Sequence, residues 1–465
     1  MKAETGDGNQ YTRGIAAFAS GLRYEMIPAG VVNRIKLLIL DGLGCGIYGS
    51  LPEHSKILIN TLAKLDSSTE CGVWGTTHRL SAPHAALANG SLVQGFELDD
   101  VHSRGSVHTN SGALPALMAV AESRPGISGK VFLTAAVAAF EVAPRVGMCM
   151  GEEYAVQGWH SGSLAVFPAA IAAASALGLS EEKTVHALGI AGTQTAGLMA
   201  AQYGAMVKRM HAGRAAQGGL YGALLAEAGY TGIVNLFESE YGGFCTTFSR
   251  SSDRFDLTQL TRGLGDKFET MRVSLKFYAC AASSHTALDA IRLIQARRPF
   301  SADEVERIVV RAAQQVVKHV GWKYQPLGLT SAQMNLPFCA ATLLLENDVF
   351  IEQFTPQAVN DPARIALADK IEVREDPAIS AKEKSARREV HVEVQLKDGT
   401  RLNETVQSAR GSERKFATEA EVVGKFEKLA SRVLPENQVK AVCETVLDLD
   451  QRQDAAMLAG LLTLH

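Results

Sequence analysis

Three short stretches place ionisable residues where an apolar pattern has no use for them. Glu97-Leu98-Asp99-Asp100-Val101-His102, followed by His108-Thr109-Asn110-Ser111-Gly112, sets two histidines and three carboxylates within twelve residues. That mixture can supply acid–base groups or metal ligands, and it also suits a solvated helix end. No HxxxH or HExxH spacing accompanies it, so the metal reading is the weaker one. Gly158-Trp159-His160-Ser161-Gly162-Ser163 runs directly into an apolar helix. His160 then sits at a helix N-terminus, where the dipole disfavours its protonated form and Ser161 or Ser163 is expected to cap. No G-x-S-x-G elbow surrounds Ser161, which argues against a serine nucleophile. In Met206–Arg214, Lys208, His211 and Arg214 step round one side of a helix as a compact cationic strip. Lys276 is a lone lysine inside the apolar run Val273–Tyr278, either a site residue or a snorkelling surface chain. No G-x-G-x-x-G after a strand and no P-loop is present, so nucleotide cofactors have no support.

The elements that must position these groups divide into two regions. The chain has 465 residues, 46% hydrophobic and 20% charged, enough for a sizeable core and suited to two domains. To about residue 265 it reads as helix after helix, with Val31–Tyr48, Lys130–Val146 and Ser163–Leu177 rich in small and apolar residues. Gly178 followed by Ser180, Glu181 and Glu182 marks one helix stop and the next start. Beyond that, Val305–Ala312 alternates as a strand, Lys370–Val373 is a weaker strand, and Glu389–Leu396 and Arg401–Val406 form a hairpin around Asp398-Gly399. Ser284–Arg297 and Ala332–Leu345 read as helices, and amphipathic helix returns after about 415. The expected fold is mainly α: a large all-helical domain over 1–268, completed by helices of about 410–465, and a smaller α+β lid domain over 269–409.

A net charge of −3 provides no overall basic field for nucleic acid or an anionic membrane. An anionic substrate must therefore be caught by a local group of cations. The seven cysteines are scattered without CxxC spacing, as expected of reduced thiols rather than a zinc knuckle or redox pair. The N-terminal sequence lacks a secretory pattern and no uninterrupted run reaches about 18 apolar residues, so a cytoplasmic protein without a membrane span is expected.

Taken in order, Asp41-Gly-Leu-Gly-Cys-Gly, Asn89-Gly90, Glu97-Leu-Asp-Asp, Gly158-Trp-His, Met206-Val-Lys-Arg and Lys276-Phe-Tyr-Ala-Cys make the chain similar to the MmgE/PrpD family over nearly its whole length. This family includes 2-methylcitrate dehydratase and cis-aconitate decarboxylase. The resemblance implies an active site in the cleft between a helical domain and a lid, a homodimer, and catalysis without metal or organic cofactor. Residue by residue, it places Asp99 or Asp100, His108, His160, Lys208 and Lys276 in the active site. Among these, His108, His160, Lys208, Lys276 and Asp99 are the expected catalytic groups. Asp100, His102, His211 and Tyr324 are expected to bind substrate.

Three positions depart from the pattern. Many members carry Asp where Glu97 stands and Thr where Val101 stands, and some decarboxylases carry His where this chain has Ala281. The Glu97-Leu-Asp-Asp version followed by His102-Ser103 looks more like the fungal decarboxylases. The expected activity is a cofactor-independent lyase on a small tricarboxylate, decarboxylating cis-aconitate to itaconate. Dehydration of a methylcitrate-like acid or isomerisation of a dicarboxylate would need the same parts. The contrasting class is a non-catalytic carboxylate-binding or scaffold protein. Lys208 and Lys276 come from different expected domains, so they should meet only across the cleft, bridged by an anion.

Overall fold

Alanine and glycine set the spacing of the helical body. In the computed structural model, which describes residues 8–383 and 386–464, helices Ala82–Val93, Asn110–Ser123, Gly129–Met150, Val166–Ala176 and Val207–Glu227 pack on one another, with most of their residues buried. Where Ala82–Val93 crosses Val207–Glu227, Gly90 lies against Gly213. A Cβ on Gly213 would stand 2.1 Å from the Leu87 carbonyl oxygen, and one on Gly90 2.8 Å from the Gly213 Cα. Only hydrogen fits at this crossing. The close approach holds the Lys208 end of one helix against the chain that leaves the other.

Helix Gly129–Met150 has the length and apolar composition of a bilayer span, yet 89% of its apolar window is buried inside the protein. It carries a buried ion pair, Arg145 to Glu141 at 2.7 Å. The Glu141 carboxylate also accepts from the backbone N–H groups of Glu269 and Thr270, each at 2.9 Å. Those bonds fasten the start of the second region to the body.

The smaller region is built on a four-stranded sheet ordered Ile371–Glu375, Val305–Ala312, Val390–Leu396, Arg401–Val406. The first pair is parallel and the other two are antiparallel. Strict alternation of burial along Val390–Leu396 matches one face on a core and one toward solvent. Helix His285–Arg297 packs on the hairpin and Leu336–Glu346 on the parallel edge. The expected hairpin turn is present: Gly399 has φ 87°, and the Asp398 carboxylate accepts from Thr400 N–H at 2.8 Å. Ser180 caps its helix as expected, accepting from Lys183 N–H.

Two local expectations need correction. Ala332–Leu345 is not one helix. It breaks into Leu329–Gln333 and Leu336–Glu346, because Pro337 can occupy only a first turn and Asn335 caps it, accepting from Phe338 N–H at 2.8 Å. The serines do not cap the turn after His160. The imidazole does so itself, Nδ1 accepting from Gly162 N–H at 3.1 Å.

The two regions are joined beside the polar stretch 97–108. Val101–His102 pairs antiparallel with Val273–Ser274 in a two-residue clip, which delivers Lys276 to the carboxylates just before it. From the far end of the chain, helix Glu419–Ala430 packs on Ala29–Tyr48. Its Lys425 ammonium pairs with buried Asp41 at 2.6 Å and donates to the Leu98 carbonyl at 2.8 Å.

The Gly90–Gly213 contact predicts that Gly213→Ala destabilises the protein by about 1–3 kcal/mol or more, since the Leu87 backbone must move. A thermal midpoint equal to that of the wild type would contradict this reading.

Candidate active site

Glu97 is the anion on which the site converges. Its backbone is left-handed, φ 57°, an uncommon state for a residue with a Cβ that costs of order 1–3 kcal/mol. In that conformation its buried carboxylate meets three cations. Lys208 and Arg209 both reach Oε1, and Lys276 reaches Oε2 at 3.2 Å. Lys276 also contacts Asp99 Oδ1 at 3.3 Å. The expectation that the two lysines meet around an anion holds, but the bridging anion belongs to the protein. Arg209 is held further by Gln333, whose Oε1 accepts at 3.0 Å.

The electrostatics follow from three cations facing two carboxylates in a buried place. Burial alone would raise the Glu97 pKa, but Lys208, Lys276 and Arg209 hold its carboxyl well below the usual carboxylate range. Burial would likewise raise Asp99, and Lys276 and His108 hold it down. Burial works against the Lys276 ammonium, yet Asp99 and Glu97 together keep its pKa above the ordinary lysine value. Lys208 goes the other way. Burial, with repulsion from Arg209 and Lys276, outweighs the pull of Glu97 and brings it down to about 8. Lys208 is therefore the cation nearest to losing its proton at physiological pH.

The histidines divide by what their nitrogens touch. His108 Nδ1 donates to the Asp100 carbonyl oxygen at 2.8 Å, with Asp99 Oδ2 2.9 Å away. This fixes the proton on Nδ1 and leaves Nε2 free, with a carboxylate as counter-ion for the imidazolium form. His160 Nδ1 instead accepts from Gly162 N–H, so its proton resides on Nε2. Burial, followed by the charges of Lys208, His211 and His108, pushes the His160 pKa well below the ordinary value, and the ring is a neutral N–H donor. His211 packs on it, ring centroids 4.9 Å apart. Burial and Lys208 lower the His211 pKa as well, and its Nδ1 has no hydrogen-bond partner among the described residues.

The structure thus brings Asp99, His108, His160, Lys208, His211 and Lys276 into one neighbourhood. Three other sequence candidates are engaged elsewhere. Asp100 caps helix Asn110–Ser123, its carboxylate accepting from Thr109 and Asn110 N–H at 3.2 and 3.0 Å. Burial and the adjoining Asp99 charge push its pKa to about 7. His102 braces the turn after the clip, with Nδ1 accepting from Gly105 N–H and Nε2 meeting Glu269, both at 3.0 Å. Tyr324 donates to the Val359 carbonyl at 2.9 Å and packs on Phe338 within the smaller region. Arg214, the third member of the expected cationic strip, is exposed and turned to Gln217.

Several residues at the site escaped the sequence reading. Arg209 takes the place expected of Arg214. The signal was its position directly after Lys208, in a helix segment where both faces are buried. An open pocket of about 550 Å³ is lined by Val101, Ser103, Lys276, His285, Arg388 and Ser412. Beside it, His319 lies on helix Gln314–Val320 with its Nδ1 3.1 Å from Ser283 Oγ. Ala281, where some decarboxylases are expected to carry histidine, is buried and its N–H bonds the Gln333 carbonyl at 2.9 Å. Among the described residues, no three side chains of His, Cys, Asp or Glu converge as a metal-ligand set.

Comparison with known proteins shows the family of the chain. The profile of the MmgE/PrpD N-terminal domain matches residues 13–256, and that of the MmgE/PrpD C-terminal domain matches 278–450. A cis-aconitate decarboxylase-like protein of Aspergillus oryzae is 36% identical, with 99% of this chain and 98% of the relative aligned. The cis-aconitate decarboxylase of Aspergillus terreus is 32% identical over the same shares. That of Mus musculus is 28% identical over 97% of this chain and 93% of its own. With both domain profiles and full-length relatives in agreement, the chain belongs to the MmgE/PrpD family.

Proposed function

We propose that the protein is a carboxy-lyase that converts cis-aconitate to itaconate and CO₂. The observation that carries this reading is the surplus of positive charge around Glu97, with His108 held beside it by Asp99. Full-length relatives named as cis-aconitate decarboxylases support it. The substrate brings about three negative charges at neutral pH, and a chain of net charge −3 can hold it only at such a place.

The chemistry demands two things. The bond between the methylene carbon and its carboxylate breaks, CO₂ departs, and the electron pair spreads over the allylic system toward the carbon beside a retained carboxylate. Lys208 and Lys276 stabilise the charge that accumulates there in a partly dry site. A proton must then reach that far carbon, which creates the terminal double bond of itaconate. His108 delivers it from Nε2, with Asp99 orienting the ring. His160, neutral and protonated on Nε2, donates a hydrogen bond to the substrate and passes no proton.

These roles separate by substitution. His108→Gln should lose about 100- to 10,000-fold in kcat. His160→Gln keeps an N–H near the position of Nε2 and should lose only about 10-fold. Turnover of cis-aconitate in D₂O, followed by NMR, should give itaconate with one deuterium on its methylene. An equal loss in the two variants would contradict the assignment. Dehydration of methylcitrate without CO₂ release from cis-aconitate would overturn the decarboxylase reading itself.

The lowered Lys208 pKa gives a pH signature. Its ammonium is present below about pH 8 and lost above it, so kcat/KM should fall as pH rises through about 8. Lys208→Arg keeps its charge and should remove that alkaline limb, whatever it does to the maximum rate. Identical limbs in the two enzymes would show that another group is titrating.

We also propose a homodimer. Leu198, Tyr203, Met206, Val207 and Leu327 are large apolar side chains exposed near the start of the Lys208 helix, where a second copy can cover them. Analytical ultracentrifugation should give twice the 49.7 kDa chain mass. A monomer at micromolar concentration would refute this.

A further inference from the structure

The cleft contains a guanidinium with no counter-ion. Arg388 lines it together with Lys276, and among the described residues no carboxylate lies within ion-pair distance of its guanidinium. Arg410, in the same wall, differs: its guanidinium is held by Glu421 at 2.9 Å and lies over the Phe277 ring. Among the described residues Arg388 has a neutral partner alone, Nη1 donating to Ser283 Oγ at 3.2 Å. Ser283 Oγ also lies 3.1 Å from His319 Nδ1. With the oxygen accepting from Arg388, the Ser283 hydroxyl proton is directed to Nδ1, and His319 carries its own proton on Nε2.

Burial lowers the Arg388 pKa. Burial first, then the charges of Arg388 and Lys208, bring His319 down to about 4, with Glu97 and Lys276 also within range. His319 is thus a neutral donor tied to the Arg388 guanidinium through Ser283 Oγ. An unpaired, partly buried guanidinium is costly unless an anion completes it, and its planar fork suits a carboxylate.

We infer that Arg388, braced by Ser283 and His319, is a specificity residue that holds a carboxylate the substrate retains, so that the site selects tricarboxylates over dicarboxylates. This rests on the decarboxylase reading above. The retained group is the appropriate one. A guanidinium gripping the carboxylate that departs as CO₂ would stabilise the ground state and slow the reaction.

The test uses non-reacting probes on the full-length protein. Calorimetry gives the affinities of tricarballylate, glutarate and methylsuccinate, the latter two being the same skeleton without its central or one terminal carboxylate. The wild type should prefer tricarballylate by about 30-fold or more over whichever dicarboxylate lacks the group that Arg388 holds. Arg388→Ala should reduce that preference to within about 3-fold, and Arg388→Lys should leave it intermediate, because an ammonium cannot pair bidentately.

Equal weakening of all three probes, or a preference unchanged in a folded variant, overturns the inference, as does a wild type without the preference. Should Arg388→Ala fail to fold, an unchanged preference in Arg388→Lys overturns it equally. Itaconate formation by the wild type is measured in parallel. Loss of the preference in the variants without wild-type turnover means the carboxylate subsite is right and the reaction wrong. Turnover with an unaltered preference means the reverse.

Discussion

A carboxylate taken out of water must find its counter-charges inside the protein, and the Glu97 side chain finds three of them. Lys208 and Arg209 come from one helix, Lys276 from just beyond the strand that clips the two regions together. Removing one partner of such a buried group typically costs about 3–5 kcal/mol, because the others are left uncompensated. The constraint reaches outward from there. The Gly90–Gly213 crossing lets the Lys208 helix come close enough, the Val101–Ser274 pairing sets where Lys276 arrives, and Lys425 holds the Leu98 carbonyl between Glu97 and Asp99. Packing, pairing and charge all fix the same few residues.

The same cluster relates stability to chemistry. Glu97 in the left-handed region is strained, and its carboxylate occupies the lysines that an anionic substrate would seek. Because the cations outnumber the carboxylates by one, the site still favours an added anion. A shorter Asp at this position, as many family members carry, would reach the lysines differently. The Glu97 version therefore alters how strongly the protein satisfies its own cations before substrate arrives.

Much of this was legible in the sequence, for definable reasons. Val305–Ala312 and Arg401–Val406 were recognisable because alternation and an Asp-Gly turn are local signals. His160, Lys208 and Lys276 stood out because each interrupts an apolar pattern. Asp100, His102 and Tyr324 have suitable chemistry, but backbone groups engage their polar atoms, and residue type and spacing carry no trace of that. Arg388, His319 and Lys425 were missed for the opposite reason. Each is an ordinary charged or polar residue in an amphipathic or irregular segment, and only tertiary structure brings Arg388 to the cleft, His319 to Ser283 and Lys425 to Asp41. Residue type alone could not separate Asp99 from Asp100, whereas the direction of the His108 ring does.

The Lys425–Leu98 contact joins residues 327 positions apart, and this has a consequence for biogenesis. On a ribosome adding about 5–20 residues per second, Leu98 emerges roughly 15 to 65 s before Lys425 does. Throughout that interval Asp41 has no ammonium to face, and for much of it Glu97 and Asp99 lack Lys276. The helical body cannot bury these acids while it is still growing, so the central part of the nascent chain stays open and hydrated until the last helices dock. Its folding therefore waits on the arrival of the helix that carries Lys425, and the exposed alanine-rich helices of the waiting body are the surfaces on which a holding chaperone would act.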